Sequence, residues 1–155
     1  MTLTIRAMRP EDAPHVVAMV QGLARDTGAD VVPKLTAESL IGNGDLIDVT
    51  IAEDAGGMLG ACLTLLTYST WRDAKGLYVV DLFIDGKARN QGIGVMLLRE
   101  AARRGRAKGA RFIKLEVYDT NAGAARFYER LGFVRNDNDR LFVLEDDKVT
   151  GFLNQ

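Results

Sequence analysis

One cysteine and one histidine among 155 residues leave little room for metal or thiol chemistry. Cys62 cannot form an internal disulfide, and one cysteine with one histidine cannot supply the ligand set of a zinc site, so we expect no metal. Cys62 lies in an apolar, strand-like run, where a lone cysteine usually serves as a small buried hydrophobic residue. A nucleophilic role would need a nearby base, and His15 lies in a different, amphipathic segment.

The sequence also lacks a strong charge of either sign and a long apolar run. Its formal net charge is -1, so bulk electrostatics indicates neither nucleic-acid binding nor attraction to an anionic membrane. No apolar run approaches the roughly 18 residues that span a bilayer, and the first residues lack the basic-then-apolar pattern of a signal peptide. We therefore expect a cytoplasmic protein with no nucleic-acid and no membrane partner.

What is present is the composition of an ordinary globular domain, with 47% apolar and 26% charged residues. Alternating apolar residues predict strands, and apolar residues three or four positions apart predict helices. In chain order the pattern predicts a strand at 2–6, helices at 11–25 and 36–40, strands at 48–53, 58–68 and 77–84, a helix at 92–108, a strand at 112–118, a helix at 121–131 and a strand at 140–145. This order indicates one mixed α/β domain over residues 1–155.

A glycine-rich turn, Arg89-x-x-Gly92-x-Gly94, lies between a predicted strand and a predicted helix. Its glycines allow close approach of the backbone, and the free N–H groups at the start of the next helix favour an anion. A P-loop is disfavoured because Val95 follows Gly94 where that motif needs lysine. A Rossmann fingerprint is disfavoured because Leu97 occupies the place of its third glycine. A turn without a ligand is the remaining alternative.

Together with its neighbours, this turn resembles the signature motif of the GNAT superfamily of N-acetyltransferases. The resemblance covers residues 77–133 and includes Asp81-Leu82-Phe83-Ile84, the glycine-rich turn, and Asn121 followed by Ala125-Arg126-Phe127-Tyr128-Glu129-Arg130-Leu131-Gly132-Phe133. It implies the GNAT fold: a mixed, mostly antiparallel sheet of about six or seven strands with a splayed parallel central pair, flanked by about four helices. The strand at 77–84 is most similar to the diamine (spermidine/spermine) N-acetyltransferase branch, although Val80 stands where those enzymes usually have glutamate.

The resemblance implies acetyl-CoA as co-substrate, in the gap between the strands at 77–84 and 112–118. Backbone groups of Leu82, Phe83 and Ile84 would pair with the pantetheine like an additional strand. Asn121 and Ala124 would also bind this co-substrate, although Asn121 has a second interpretation as a helix N-cap. The pyrophosphate would be held by residues of the turn, namely Arg89, Asn90, Gln91, Gly92, Ile93, Gly94 and Val95. The resemblance also implies a homodimer.

Acetyl transfer requires a neutral amine, whereas a free alkyl amine has a pKa of about 10.4 and is mostly protonated at neutral pH. The site must therefore remove a proton through a carboxylate, a water chain or local desolvation. Tyr128 matches the family's usual acid, which donates to the departing thiolate, and its alternative role is core packing beside Phe127.

Asp81 is the only carboxylate in the first of the two splayed strands, and alternation predicts that it shares a face with Val79 and Phe83. A buried aspartate needs a partner or a function, so a base, an amine anchor and a structural hydrogen-bond acceptor are all open. Glu116, on the polar face of the neighbouring strand, has the same possible roles.

Two further features have several interpretations. The helix after the turn is basic, which favours a solvated face; attraction of the CoA 3′-phosphate and nucleic-acid binding are the alternatives. Its basic residues and the one just beyond it are Arg99, Arg103, Arg104, Arg106, Lys108 and Arg111. Tyr68 and Trp71 precede the key strand and could shape the acceptor pocket, and Trp71 could instead cover a core or a dimer contact.

We therefore predict an N-acetyltransferase that acts on a primary amine of a small molecule by direct attack in a ternary complex. A non-catalytic acyl-CoA-binding sensor or scaffold is one alternative, which Tyr128 argues against and Val80 leaves open. A peptide or protein N-acetyltransferase is the other, because the width of the acceptor groove cannot be read from the sequence.

Overall fold

The computed structural model describes residues 2–155 and has the mixed α/β architecture that the sequence predicts. Within these residues it contains a five-stranded sheet and five α-helices, against the larger sheet and four helices expected. The strands are β1 Thr4–Ala7, β2 Ile47–Asp54, β3 Gly57–Ser69, β4 Ala74–Ile84 and β5 Ala110–Lys114. The helices are α1 Ala13–Asp26, α2 Ala37–Gly42, α3 Ile93–Ala107, α4 Ala122–Arg130 and α5 Asp147–Leu153.

The strands lie side by side in chain order, from β1 to β5. The three pairings from β1 to β4 are antiparallel, whereas β4 and β5 are parallel. A tight turn can join antiparallel neighbours, but a parallel pair needs a longer crossover, which α3 provides between β4 and β5. The sheet therefore contains one parallel pair, at the position where the sequence predicts it.

One face of the sheet packs against α1 and α2. Thr36 caps α2, because its side chain accepts a hydrogen bond from the Ser39 N–H at 3.1 Å, as its place before the apolar residues predicts. The buried core on this face comprises Ala13, Val16, Val20, Leu40, Val49, Ile51, Ala61 and Leu63. Burial of these side chains holds α1 across β2 and β3.

An ion-pair network fixes the start of α1 to the sheet. Arg6 of β1 donates to Asp12 at 2.8 Å and to Glu53 of β2 at 2.7 Å. The hydrogen bond from Arg6 is the main reason that the pKa of Asp12 is lowered. Asp12 also accepts from the backbone N–H of Arg9 at 2.7 Å, so a single carboxylate joins the strand to the turn that begins the helix.

The other face of the sheet packs against α3. Leu97 of α3 is fully buried, and a Cβ placed on Gly60 of β3 would lie 3.0 Å from its Cδ1 atom. Near the other end of α3, a Cβ on Gly105 would lie 3.0 Å from a Leu77 methyl carbon of β4. Glycine therefore allows close approach at two points along α3, which lies against the sheet from its first turns onward.

A β-bulge interrupts β4 at Val80. Asp81 pairs with Leu63 of β3 and Val79 pairs with Thr64, so Val80 is an extra residue without a partner in β3. Directly opposed side chains of an antiparallel pair lie on the same face of the sheet. Asp81 therefore shares the α1 face with Leu63, whereas Val79 lies on the α3 face.

This bulge corrects one prediction for Asp81. Strict alternation placed Asp81 on the face of both Val79 and Phe83, and the first half of that prediction is wrong because the inserted residue reverses the alternation. The second half is confirmed, because Phe83 pairs with Ala61 of the α1-face core. A Cβ on Gly22 of α1 would lie 3.6 Å from the Phe83 ring.

The chain divides into two compact units, one through Glu116 and the other Val117–Gln155. The first unit contains the sheet and α1 to α3. In it, β5 ends at Lys114 rather than continuing to residue 118 as predicted, because its pairing with β4 ends where Tyr78 faces Lys114. Within residues 2–116, no strand pairs with β4 on its β5 side beyond that point.

The second unit contains α4, α5 and the segment between them. The strand predicted at 140–145 is wrong, because within residues 117–155 this run has no partner strand and forms no ladder. Its apolar side chains are exposed: Leu141, Phe142, Val143 and Leu144. The helix α5 that follows was not predicted. Among residues 2–155, no helix is long and apolar enough to cross a membrane.

Candidate functional site

The glycine-rich turn forms the junction between β4 and α3. β4 ends at Ile84, a 3₁₀ turn covers Gly86–Ala88, and α3 begins at Ile93. Two residues of the turn have positive φ, Asn90 at 63° and Gly92 at 76°. Gly92 is the N-cap of α3, and no side chain caps the helix. We call residues 89–95 the anion loop, because two residues of positive φ lead here into a helix start that no side chain caps.

The first turn of α3 supplies the donors that an anion needs. The N–H groups of Ile93, Gly94 and Val95 precede the first intrahelical hydrogen bond, which Met96 donates to the Gly92 carbonyl at 3.2 Å. The helix dipole adds a partial positive charge at the same end. With glycine at two positions and no capping side chain, the anion loop fits a pyrophosphate approaching the backbone.

Two side chains of the anion loop, those of Arg89 and Gln91, already have partners. Arg89 donates from Nη2 to Asp26 at 2.8 Å and from Nε to the Ile84 carbonyl at 3.3 Å. Gln91 donates to the Lys87 carbonyl at 3.2 Å, which braces the turn from within. Arg89 is half-exposed, so its guanidinium is accessible from solution.

The free edge of β4 adjoins the anion loop. β4 pairs with β3 along its length, but on its other side β5 pairs only with residues 75–78. Backbone groups between Val79 and Ile84 on that edge therefore need a partner outside the sheet. An extended chain carrying its own amides, such as pantetheine, fits this edge by adding as a further strand. Leu82, Phe83 and Ile84, the residues predicted for this contact, all lie on it.

Asp81 lies on the same stretch of β4, just after the bulge. It is only partly exposed, and burial raises the pKa of its carboxyl group. Burial is the cause of this shift, and no hydrogen bond from residues 2–116 offsets it. A carboxylate with a raised pKa is a stronger base than an ordinary one, so Asp81 is a candidate proton acceptor.

Tyr78 and Glu116 form a contact that sequence reasoning missed. The Tyr78 hydroxyl donates to Glu116 Oε1 at 3.2 Å, close to the point where β4 and β5 stop pairing. Burial raises the pKa of Tyr78, and the negative charges of Glu116 and Asp81 raise it further. Alternation in the sequence places Glu116 on a polar face, but nothing in the local pattern links it to Tyr78, which is 38 positions away in the chain.

Cys62 is excluded as a nucleophile. Its side chain is completely buried, as its apolar surroundings predict. Burial is the main cause that raises its pKa to about 12, with the carboxylates of Asp48 and Asp81 adding to the effect. A thiol with such a pKa is almost entirely protonated at neutral pH.

The second unit contains three of the predicted site residues. Asn121 caps α4, because its side-chain oxygen accepts from the Ala124 N–H at 3.1 Å, which confirms its interpretation as an N-cap. Tyr128 makes edge-to-face contacts with Phe127 at 5.0 Å and with Phe133 at 5.4 Å between ring centroids. The ring is thus held by its aromatic neighbours within α4 and the turn that follows.

The remaining polar and aromatic candidates are largely solvent-exposed. Of the basic residues on α3, Arg104 forms an ion pair with Asp48, which lowers the pKa of that carboxyl group, and Arg103 pairs with Glu100. Trp71 is 99% exposed, which rules out a role in covering the core of the described chain. In residues 2–155, no three His, Cys, Asp or Glu side chains are grouped as metal ligands.

The chain is similar to a known protein family, to individual proteins and to solved structures. The family model described as Acetyltransferase (GNAT) family matches residues 16–133. Thialysine N-epsilon-acetyltransferase of Sus scrofa is 26% identical over 143 residues, covering 84% of this chain and 84% of that protein. Streptothricin acetyltransferase of Streptomyces lavendulae is 37% identical over 83 residues, covering 54% of this chain and 42% of that protein. A solved integron cassette protein from the mobile metagenome of V. cholerae has a TM-score of 0.80 at 18% identity, covering 100% of this chain and 99% of that chain.

Proposed function

The chain belongs to the acetyltransferase (GNAT) family, and we propose that it transfers an acetyl group from acetyl-CoA to a primary amine of a small molecule. The transfer is a direct attack of the amine on the thioester within a ternary complex. The observation that carries this proposal is the continuity of two features, the free edge of β4 and the anion loop that follows it. Together they match a ligand with an amide-bearing arm and a pyrophosphate.

Acetyl-CoA supplies the activated acyl group, and the chain supplies its binding groups. The backbone of Leu82, Phe83 and Ile84 would pair with the pantetheine arm along the free edge. The anion loop would bind the pyrophosphate through the amides of α3 and through Arg89, with Asn90 and Gln91 shaping the turn. Asn121 and Ala124 would complete the cofactor site. Oδ1 of Asn121 already accepts from the Ala124 N–H, so the Nδ2 group remains as a donor for the ligand.

Asp81 and Tyr128 are proposed to move the two protons of the reaction. The amine nitrogen forms a bond to the thioester carbonyl carbon, and the carbon–sulfur bond breaks. A bound ammonium first loses one proton to solvent. Asp81 accepts the second proton, which leaves the nitrogen as it attacks, and then releases it to solvent; its raised pKa favours this role. Tyr128 donates a proton to the departing thiolate and recovers one from solvent, so the products are an amide and a thiol.

The acceptor is proposed to be a small, cationic amine. The carboxylates of Asp81, on β4, and Glu116, just after β5, lie near Tyr78, which favours a positively charged acceptor before it loses its proton. The names of the relatives, thialysine and streptothricin acetyltransferases, agree with an amine acceptor. Membership of the diamine branch is a weaker proposal, because Val80 provides no carboxylate at the bulge.

Two properties of the whole chain are also proposals. The family match extends across both compact units, which supports treating residues 1–155 as one acetyltransferase domain. The exposed apolar run at residues 141–144 supports a homodimer, because a surface of this kind favours association.

The test is a thioester-consumption assay with acetyl-CoA and a panel of polyamines, amino acids and peptides, with product masses measured. We expect at least one small amine to gain one acetyl group. Turnover of peptides alone would favour a peptide or protein N-acetyltransferase. Saturable binding of acetyl-CoA without turnover of any acceptor would favour a non-catalytic sensor.

A further inference from the structure

An ion pair connects the end of α1 to the anion loop. Arg89 Nη2 lies 2.8 Å from Asp26 Oδ2, although the two residues are 63 positions apart in the chain. The side chains are 51% and 52% exposed, so both are accessible to ions from solution. Because Arg89 Nε also donates to the Ile84 carbonyl, two nitrogens of the Arg89 guanidinium already donate hydrogen bonds.

Asp26 occupies a position where a carboxylate is otherwise unfavourable. It is the last residue of α1, and the C-terminal end of a helix carries a partial negative charge. The pairing with Arg89 compensates for this repulsion. Beyond Asp26, Thr27 closes the helix through its hydroxyl, Gly28 has a φ of 70°, and the exposed residues 27–32 lead towards α2.

We propose that Asp26 is a counter-ion that a ligand phosphate replaces on Arg89, so that Asp26 sets the affinity of the anion loop. This inference rests on the proposed binding of CoA at residues 89–95. A phosphate at that loop gains the amides of α3 as well as Arg89, whereas Asp26 offers a single carboxylate. The exchange therefore favours the ligand, but the Asp26 contact must first be lost.

The same exchange links the loop to the segment after α1. When Arg89 turns to the phosphate, Asp26 is left at the negative end of α1 without its cation. The last turn of α1 then loses part of its support, and residues 27–36 become more dynamic. Binding of the pyrophosphate at the anion loop therefore increases the mobility of the segment that connects α1 and α2.

The first experiment is a calorimetric titration of CoA into the full-length protein at low ionic strength, where exposed ion pairs are least screened. Asp26→Asn should bind CoA about two- to fivefold more tightly, the range expected for one exposed ion pair. Asp30→Asn is the matched control, because it removes the same charge nearby from a residue with no ion pair in the described chain, and it should bind as the parent does.

In the background of Arg89→Gln, Asp26→Asn should have no effect on CoA affinity, because the competition is then absent. Equal or weaker binding by Asp26→Asn in the parent background would overturn the proposal while leaving the proposed function intact. Absence of CoA binding to the parent protein would overturn both.

Amide hydrogen exchange gives a second readout. Saturating CoA should speed exchange in residues 27–36 of the parent protein. The Asp26→Asn variant has neither the ion pair nor the charge at the helix end, so CoA should change exchange in this segment little or not at all. If exchange in this segment is the same in all four states, the proposed link between Asp26 and the anion loop is wrong.

Discussion

Asp81 faces α1 because Val80 adds one residue that β3 does not pair. This single bulge places the carboxylate on a half-buried face, beside Tyr78 and at the free edge of β4. Burial there raises the pKa of Asp81. The raised pKa suits Asp81 to act as a general base. The same burial lowers the folding free energy gained when the carboxylate is ionised.

Replacement of Asp81 by asparagine tests its proposed role as base. Because a base must be ionised, kcat/KM of the parent should rise with pH through the raised pKa of Asp81, above the ordinary value of about 3.9. Asp81→Asn should lower kcat/KM by about 10²- to 10⁴-fold and abolish this limb of the pH profile. Steady-state kinetics from about pH 4 to about pH 9 measures both the loss of kcat/KM and the disappearance of its rise with pH.

Stability distinguishes a catalytic Asp81 from a structural one. A raised carboxyl pKa means that the folded state holds the proton more tightly than the unfolded state. The free energy of unfolding therefore falls as pH rises from the unfolded pKa through the raised one, and is constant above it. Asp81→Asn should remove this loss and be at least as stable as the parent at neutral pH. Full activity combined with lower stability would show that Asp81 is structural.

Tyr128→Phe tests the proposed acid. The aromatic contacts with Phe127 and Phe133 survive this change, so the fold of α4 should be retained. We expect turnover to fall about tenfold or more, the effect of removing one acid. Tyr118→Phe is the control, since Tyr118 is 71% exposed. Unchanged turnover of Tyr128→Phe with a confirmed acceptor would contradict the role of Tyr128 as the acid.

The residue roles that the sequence predicts correctly depend only on nearby residues in the chain. Asn121 as a cap and Cys62 as a buried thiol follow from their immediate neighbours. Contacts between distant residues do not follow from immediate neighbours. The pairs Asp26–Arg89 and Tyr78–Glu116 depend on which strands and helices meet, which no local pattern of this chain specifies.

At the scale of elements, β4 and α3 lie where the sequence predicts them, although β4 begins at Ala74 rather than at residue 77. The predictions fail where an element depends on a partner. β5 is shorter than its alternating sequence because pairing with β4 ends at Lys114. The apolar run at 140–145 has strand-like composition, but a strand needs a neighbour for its backbone hydrogen bonds, and within the described residues it has none.

The anion loop gives a prediction at this scale. Gly92 has a φ of 76° and open space around its Cα, so Gly92→Ala adds backbone strain without a clash. We expect a loss of about 1 kcal/mol in folding stability or a relaxed turn, and in either case weaker binding of acetyl-CoA. Gly86→Ala is the control, because Gly86 has no positive φ and an equally open surrounding. Equal affinity in both variants would mean that this turn does not hold the pyrophosphate.

At the scale of the whole molecule, an exposed apolar run at residues 141–144 precedes α5. Phe142 is 90% exposed and Leu141 is 74% exposed, and neighbouring exposed apolar side chains of this kind mark association surfaces. If this run forms the proposed homodimer, Phe142→Asp should shift the protein towards the monomer in sedimentation velocity. Arg140→Asp changes charge beside it without removing apolar area and should leave the dimer largely intact. A parent protein that is monomeric at all concentrations would contradict the proposed dimer.

The central claim is that the free edge of β4 and the anion loop together bind acetyl-CoA. Calorimetric titration of acetyl-CoA into the full-length protein measures this directly. We predict saturable binding at one site per chain, with an affinity of roughly micromolar order. CoA and inorganic pyrophosphate should compete with acetyl-CoA for this site, whereas acetate should not. No saturable binding, or binding that pyrophosphate and Arg89→Gln leave unchanged, would contradict the account.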